Sequence, residues 1–240
     1  MFAAILQDAW RQYRRRPVAV ALSVAFGLVQ IPLALAGDTV RSVLLVPLLV
    51  VGLLLELFSI AYLAGALEVR RPTVGEALAM ARRAIGPGIR ASLLKGAYAV
   101  PAVVIAILLL GPRDTGTLPA ADQVKLLIGL IPLLACAWAF LAILNQRVVL
   151  DRERRVLRGA AVAHRVAAVH YPICLVVALL DAMSILAAVA PTGLAAQAQT
   201  LLALSLLDPF RIAMGNALFL RTRPLHVVER QARSSDQNRW

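Results

Sequence analysis

Charge is what this 240-residue sequence has least of: Asp, Glu, Lys and Arg make up 16% of it, against about 25% in soluble globular domains. A soluble fold of this length could not cover the 60% of residues that are hydrophobic. With a mean hydropathy of +0.78, the composition excludes a soluble enzyme and a disordered chain. There are only two cysteines, Cys136 and Cys174, which excludes a disulfide scaffold. Both read as small hydrophobes of a helical core. No HExxH, CxxC or Asp/His cluster offers a metal site, and no GxxxxGK[ST] loop would let the chain hydrolyse ATP. Of the histidines His164, His170 and His226, the first two are six residues apart and share no helix face. Ser59, Ser184 and Ser205 have no adjacent base to make them nucleophiles. No cofactor, metal or catalytic residue is expected, nor an enzyme. No ten-residue alternation appears, so a β-barrel is excluded.

What the sequence does have is long apolar runs. A membrane span needs about 20 mostly apolar residues. Six stretches qualify: about 17–36, 43–67, 94–110, 124–144, 173–190 and 201–220. The expected fold is an all-α integral membrane protein with six transmembrane helices, since helices satisfy their own backbone groups in lipid. Arg14, Arg15 and Arg16 before an apolar run, with Ala34-Leu35-Ala36 after it, have the ingredients of a cleavable leader. The run is long enough to span, and it is expected to stay as the first helix. The transmembrane domain should cover 1–221, with a polar cytoplasmic tail over 222–240.

The formal net charge of +12 falls in short bursts between apolar runs. That is how basic residues orient a membrane protein, not how a nucleic-acid groove is read. Arg41, Arg113 and Lys125 alone fall in or beside the three short connections, and Arg211 lies inside the sixth span. The rest of the 25 lysines and arginines sit at the N-terminus, in the two long connections and in the tail. The positive-inside rule then puts both termini in the cytoplasm, across an inner membrane.

The cytoplasmic segments carry helical periodicity. Phe2, Ile5, Leu6, Ala9 and Tyr13 form a stripe opposite Gln7, Arg11 and Arg14. Thr73 with Glu76 reads as a capping box, followed by a stripe of Val74, Ala77, Leu78, Ala81 and Ile85. Leu157, Ala160, Ala161, His164 and Ala168 repeat the pattern. A proline follows each: Pro17, Pro87 and Pro172. The chain thus reads as three units, each an interfacial amphipathic helix and a transmembrane hairpin. Arg82, Arg83, Arg158 and Arg165 on the polar faces would dock anionic lipid headgroups or a protein partner. Gly86-Pro87-Gly88 reads as a helix end. Ala61/Gly65 and Ala213/Ala217 have the spacing of close helix contacts.

Three such units, with a final span built as Leu207-Asp208-Pro209-Phe210 and closing on Leu218-Phe219-Leu220-Arg221, resemble the bacterial six-span membrane-domain family found alone or attached to glycerophosphodiester phosphodiesterases. That family often has Tyr where Phe219 stands here. The resemblance implies the fold and no activity, and no soluble segment is long enough to hold the phosphodiesterase domain.

The residues that point to function are charges where lipid should be. Glu56, Asp181, Asp208 and Arg211 all fall within apolar spans. Each such side chain costs at least about 2.5–3.5 kcal/mol at the bilayer centre and normally finds a partner inside the bundle. Asp181 and Asp208 flank one short outer connection at similar depth, and Arg211 is within reach. Three acids against one arginine leave a surplus that protons or a bound cation would balance. Pro209 frees a helix carbonyl beside them, and Pro101 and Pro132 are expected to interrupt the third and fourth spans. The leading expectation is a permease-like or transport-associated protein with Glu56, Asp181, Asp208 and Arg211 as an ion or substrate site. The alternatives are a non-catalytic accessory or scaffold subunit whose buried charges are structural glue, an exporter subunit needing an ATPase partner, and last an intramembrane lipid enzyme.

Overall fold

Apolar residues without β-alternation fold into helices, and a computed structural model shows only helices among the residues it describes: 1–35, 38–67, 71–110, 120–189 and 205–223. The elements are α1 (Phe2–Arg15), α2 (Pro17–Leu35), α3 (Asp38–Ala64), α4 (Val74–Leu110), α5 (Ala120–Ala139), α6 (Leu144–Leu150) and α7 (Val156–Val189), followed by α8 (205–223). Three helical stretches are long and apolar enough to cross a membrane: Val46–Ala64, Val74–Ile105 and Val156–Met183. A fourth crossing is possible by length if the bent pair Gly129–Ala139 and Leu144–Leu150 counts as one. The apolar part of α2, Pro17–Val29, is shorter. The outer connections expected around 111–119 and 190–204, with Arg113, and the tail from 224 onward, with His226, lie outside the described residues. Residues 222 and 223, expected to begin the tail, continue α8.

The helices pack in chain order, α2 on α3, α3 on α4 and α4 on α5, while α7 folds back chiefly against α5. Large apolar side chains face outward, among them Val43, Leu49, Leu93 and Leu108. Such a surface is stable in lipid and not in water.

Several expectations are corrected here. The three joints expected between an amphipathic helix and a span differ. A break separates α1 from α2 at Arg16 (φ −131°), and α7 carries a non-helical residue at His170 (φ −125°, ψ 31°). Gly86-Pro87-Gly88 is no helix end, because α4 runs through it without interruption. Pro101 and Pro132 also lie inside continuous helices. The interruption near the fourth span falls instead at residues 140–143, with a 45° bend and no proline. There Leu141 and Leu144 donate to the carbonyls three residues back, Trp138 and Leu141, the tighter turn that commonly joins helices.

The buried stripes also differ in phase. On α4 the core face is Ala77, Ala81, Ala84 and Ala91, whereas Val74 and Leu78 are exposed. On α7 it is Ala160, Ala163, Val166 and Ala167, and Leu157 is 77% exposed. Between membrane helices small residues take the contact, because burial against another helix gains little over burial in lipid and close approach gains dispersion. Gly65 lies in the turn just past α3, where a methyl group would run into Pro72 of the connection to α4. On α8 a methyl group at Gly215 would meet the side-chain amide of Gln146. Cys174 is buried, but Cys136 is exposed.

Helix α1 is fixed by polar contacts. Gln12 is fully buried on its inner face beside Ile5 and Ala9. Its amide donates to the Ala213 carbonyl (2.9 Å). Asn216 donates to Gln12 Oε1 (3.2 Å) and to the Ile60 carbonyl (3.0 Å), joining α1, α3 and α8. Asp8 takes Arg221 at 2.6 Å. The capping box is formed as expected, with Thr73 N donating to Glu76 Oε2 (2.9 Å) and Glu76 N to Thr73 Oγ1 (3.2 Å).

Candidate functional site

Helix geometry sets the first contact of the site. Asp208 and Arg211 are three residues apart on α8 and therefore share a face. Asp208 Oδ1 accepts from Arg211 Nε (2.9 Å) and Nη2 (2.8 Å). The remaining reach of the guanidinium spans two other helices. Nη1 meets Asp181 Oδ1 of α7 at 2.7 Å, and Nη2 stands 3.5 Å from Glu56 Oε1 of α3. All four residues singled out in the sequence, Glu56, Asp181, Asp208 and Arg211, thus meet in one place.

Two residues of the cluster escaped sequence reasoning. Lys95 Nζ on α4 contacts Asp181 Oδ2 at 2.9 Å, and Asn145 Nδ2 on α6 donates to Glu56 Oε1 at 3.0 Å. Lys95 was legible as the one lysine in the apolar half of α4, eight residues beyond Pro87. It was missed because the lysine was counted with the cytoplasmic charges, although the span drawn from Leu94 contains it. Asn145 falls just past the expected fourth span, 124–144, and so outside it. The bend at 140–143 turns it inward, where it is 3% exposed. Trp138 holds the adjoining turn of α4 by donating from Nε1 to the Lys95 carbonyl (2.9 Å).

Lys95 changes the charge balance. Two cations face three carboxylates, so a formal charge of −1 remains where sequence reasoning left −2. The imbalance is not shared evenly. Asp181 has a cation on each oxygen, Arg211 on one and Lys95 on the other. Glu56 and Asp208 share one guanidinium edge, each through one oxygen. Glu56 Oε2 and Asp208 Oδ2 have no partner among the described residues. These two side chains are also the more open, at 21% and 28% exposure, against 12% for Asp181 and 10% for Arg211. The cluster therefore has a compensated base of Asp181, Lys95 and Arg211 and an acidic rim with spare oxygen acceptors.

The arginines expected on the cytoplasmic side do not join this cluster. Arg82, Arg83, Arg158 and Arg165 are all exposed on the outer faces of α4 and α7. His164 is held apart as well. Its Nδ1 meets the Ala160 carbonyl (2.8 Å), its Nε2 the Tyr98 hydroxyl (2.9 Å), and Phe140 stacks on its ring. Among the described residues no group of three or more His, Cys, Asp or Glu is arranged to hold a metal ion. No family model matches the chain, and neither the curated proteins nor the solved structures contain a similar one.

Proposed function

We propose that this protein is a permease-like, non-enzymatic carrier of a bacterial inner membrane, whose charged cluster takes up one proton or one small cation at mid-bilayer. The single observation behind this reading is the residual negative charge carried by Glu56 and Asp208, each with one carboxylate oxygen that has no partner among the described residues. A net charge is costly in low dielectric, and one bound proton or monovalent cation cancels it. Depth agrees. Lys95 lies eight residues past Pro87, and Asp181 nine past Pro172. At 1.5 Å per residue that is about 12–14 Å, close to half the ~30 Å hydrocarbon core, if the prolines mark its cytoplasmic edge. The bent α5–α6 pair brings Asn145 to the cluster, as broken helices do where they line binding sites.

The same reading takes six crossings, counting α2, the α5–α6 pair and α8 beside the three long helices. It puts both termini in the cytoplasm and α1 at the membrane rim. This is also the layout that the resemblance to the phosphodiesterase-associated membrane domains implies.

The test is flux in proteoliposomes, with a pH dye for protons and a radiotracer for sodium. The unmodified protein should dissipate an imposed gradient, and Asp208→Asn should abolish that flux while folded yield stays near the parent's. Undiminished flux in Asp208→Asn sinks the reading. An accessory or scaffold role is the second reading, favoured by the double pairing of Asp181, which is how a purely structural knot would hold α4, α7 and α8 together. It expects no flux from the unmodified protein. It also expects a co-purifying partner that is lost when Arg82, Arg83, Arg158 and Arg165 become Glu.

A further inference from the structure

A cleft of about 260 Å³ opens between α4 and the α6–α7 connection. Its floor is apolar and includes Met80, Pro87 and Val148, and its rim carries Arg83, Arg152 and Arg154. These three arginines make no ion pair among the described residues. Glu153 also lines the cleft, but its carboxylate is engaged by Arg147 Nη2 at 3.6 Å. The local field is therefore strongly positive.

The connection is built to sort its charges. Arg147 is buried and binds Asp151 (3.1 Å) and Glu153. Its carbonyl accepts both the Asp151 and the Glu153 backbone N–H, each at 3.2 Å. Between those two residues Arg152 is forced to φ 54°, the one positive φ at a non-glycine residue among those described. Side chains other than Gly, Asn and Asp rarely adopt that conformation, and strained backbone of this kind gathers at binding sites. The two acids are spent on Arg147, while Arg152 and Arg154 line the cleft.

We infer that this cleft binds the phosphate of an anionic phospholipid. A guanidinium matches phosphate oxygens in a bidentate fork, and an apolar floor under a cationic rim suits a headgroup better than a free anion. Depth supports the lipid source. Ala84 on the cleft wall lies eleven residues before Lys95 on the same continuous helix. That is about 16 Å, which puts the cleft at headgroup level when the ion cluster sits at mid-bilayer. This step rests on the depth assigned under the proposed function; the cavity and its charges do not.

The experiment offers the purified protein, in neutral detergent, equal amounts of phosphatidylglycerol and phosphatidylcholine and reads bound lipid by native mass spectrometry. The parent should retain phosphatidylglycerol preferentially. The triple variant Arg83→Gln/Arg152→Gln/Arg154→Gln should lose on the order of a hundredfold in that preference, at about fivefold per arginine. Arg152→Gly removes one guanidinium and the backbone strain together, so it should melt no lower than the parent yet retain less phosphatidylglycerol. Arg14→Gln/Arg15→Gln, exposed on α1 and outside the cleft, should retain lipid as the parent does. Equal retention of both lipids by the parent, or equal loss in the two multiple variants, would overturn the site. Displacement of the lipid by millimolar inorganic phosphate would overturn its lipid source. Binding is read without flux, so inactive Asp208→Asn that still holds phosphatidylglycerol would separate the two proposals.

Discussion

Two arginines among the described residues are buried, and they are buried differently. Arg147 is 3% exposed and Arg211 8%. Arg147 takes its acids from four and six residues ahead in its own chain segment, Asp151 and Glu153. Arg223 reaches Asp151 from α8 at 3.3 Å, so two cations meet two carboxylates among the described ion pairs, and those pairs balance. Arg211 draws its acids from α3, α7 and its own helix, and even with Lys95 the total stays at −1. A neutral local network fixes a loop and has nothing left to bind. A network that is one charge short has a capacity that folding alone does not need. The difference separates a staple from a site.

The strongest way to break that comparison is to remove the hub. Arg211→Ala leaves three carboxylates around Lys95, and the loss of a buried partner costs about 3–5 kcal/mol. A sharp fall in detergent melting temperature and folded yield is expected; an unchanged melt would show that the carboxylates are already neutral. This variant therefore reads stability, and the conservative Asp208→Asn is the one that reads flux. Arg147→Ala should cost less, about 2 kcal/mol, because Asp151 keeps Arg223 as a partner. It should leave ion flux intact, and loss of flux there would erase the distinction between the two arginines. Gly65→Ala forces a methyl group against Pro72 and should lower stability by about 1–3 kcal/mol, as overpacking does, again with flux retained per folded molecule. The smallest effect on stability should come from Glu56→Gln. It brings the cluster to neutrality and keeps a side chain that can still meet Asn145 and Arg211. Its melt should stay within about 1 kcal/mol of the parent, while proton or sodium binding by calorimetry disappears. A large destabilisation instead would mark Glu56 as structural.

The cluster was more legible than the packing around it. Glu56, Asp181, Asp208 and Arg211 stood out because an ionisable side chain in a long apolar run has few tolerable surroundings except one another. Lys95 and Asn145 did not, since each lay where a straight-span reading draws the membrane edge. Gln12 was hidden for a related reason. A hydrophobic stripe read from Phe2 to Tyr13 treats polar residues as the outer face, and only the Ala213 carbonyl opposite makes Gln12 an inner one. Helix phase on α4 and α7 was misjudged because the reading buried the largest apolar residues, as in a soluble protein. In lipid the bulky residues lose nothing by facing out, and alanines take the contacts.

By itself, the sequence determined that this is a helical chain solvated by lipid, and which charges would have to find one another. Both follow from composition and run length, because the energy of placing apolar or ionised groups in a given solvent is local to each residue. Tertiary structure alone decided which second cation completes the cluster, that the chain bends between α5 and α6 to deliver Asn145, and that Pro87 is crossed while His170 is kinked. Those outcomes depend on what lies across the contact, and no residue carries that information in its own neighbourhood of the chain.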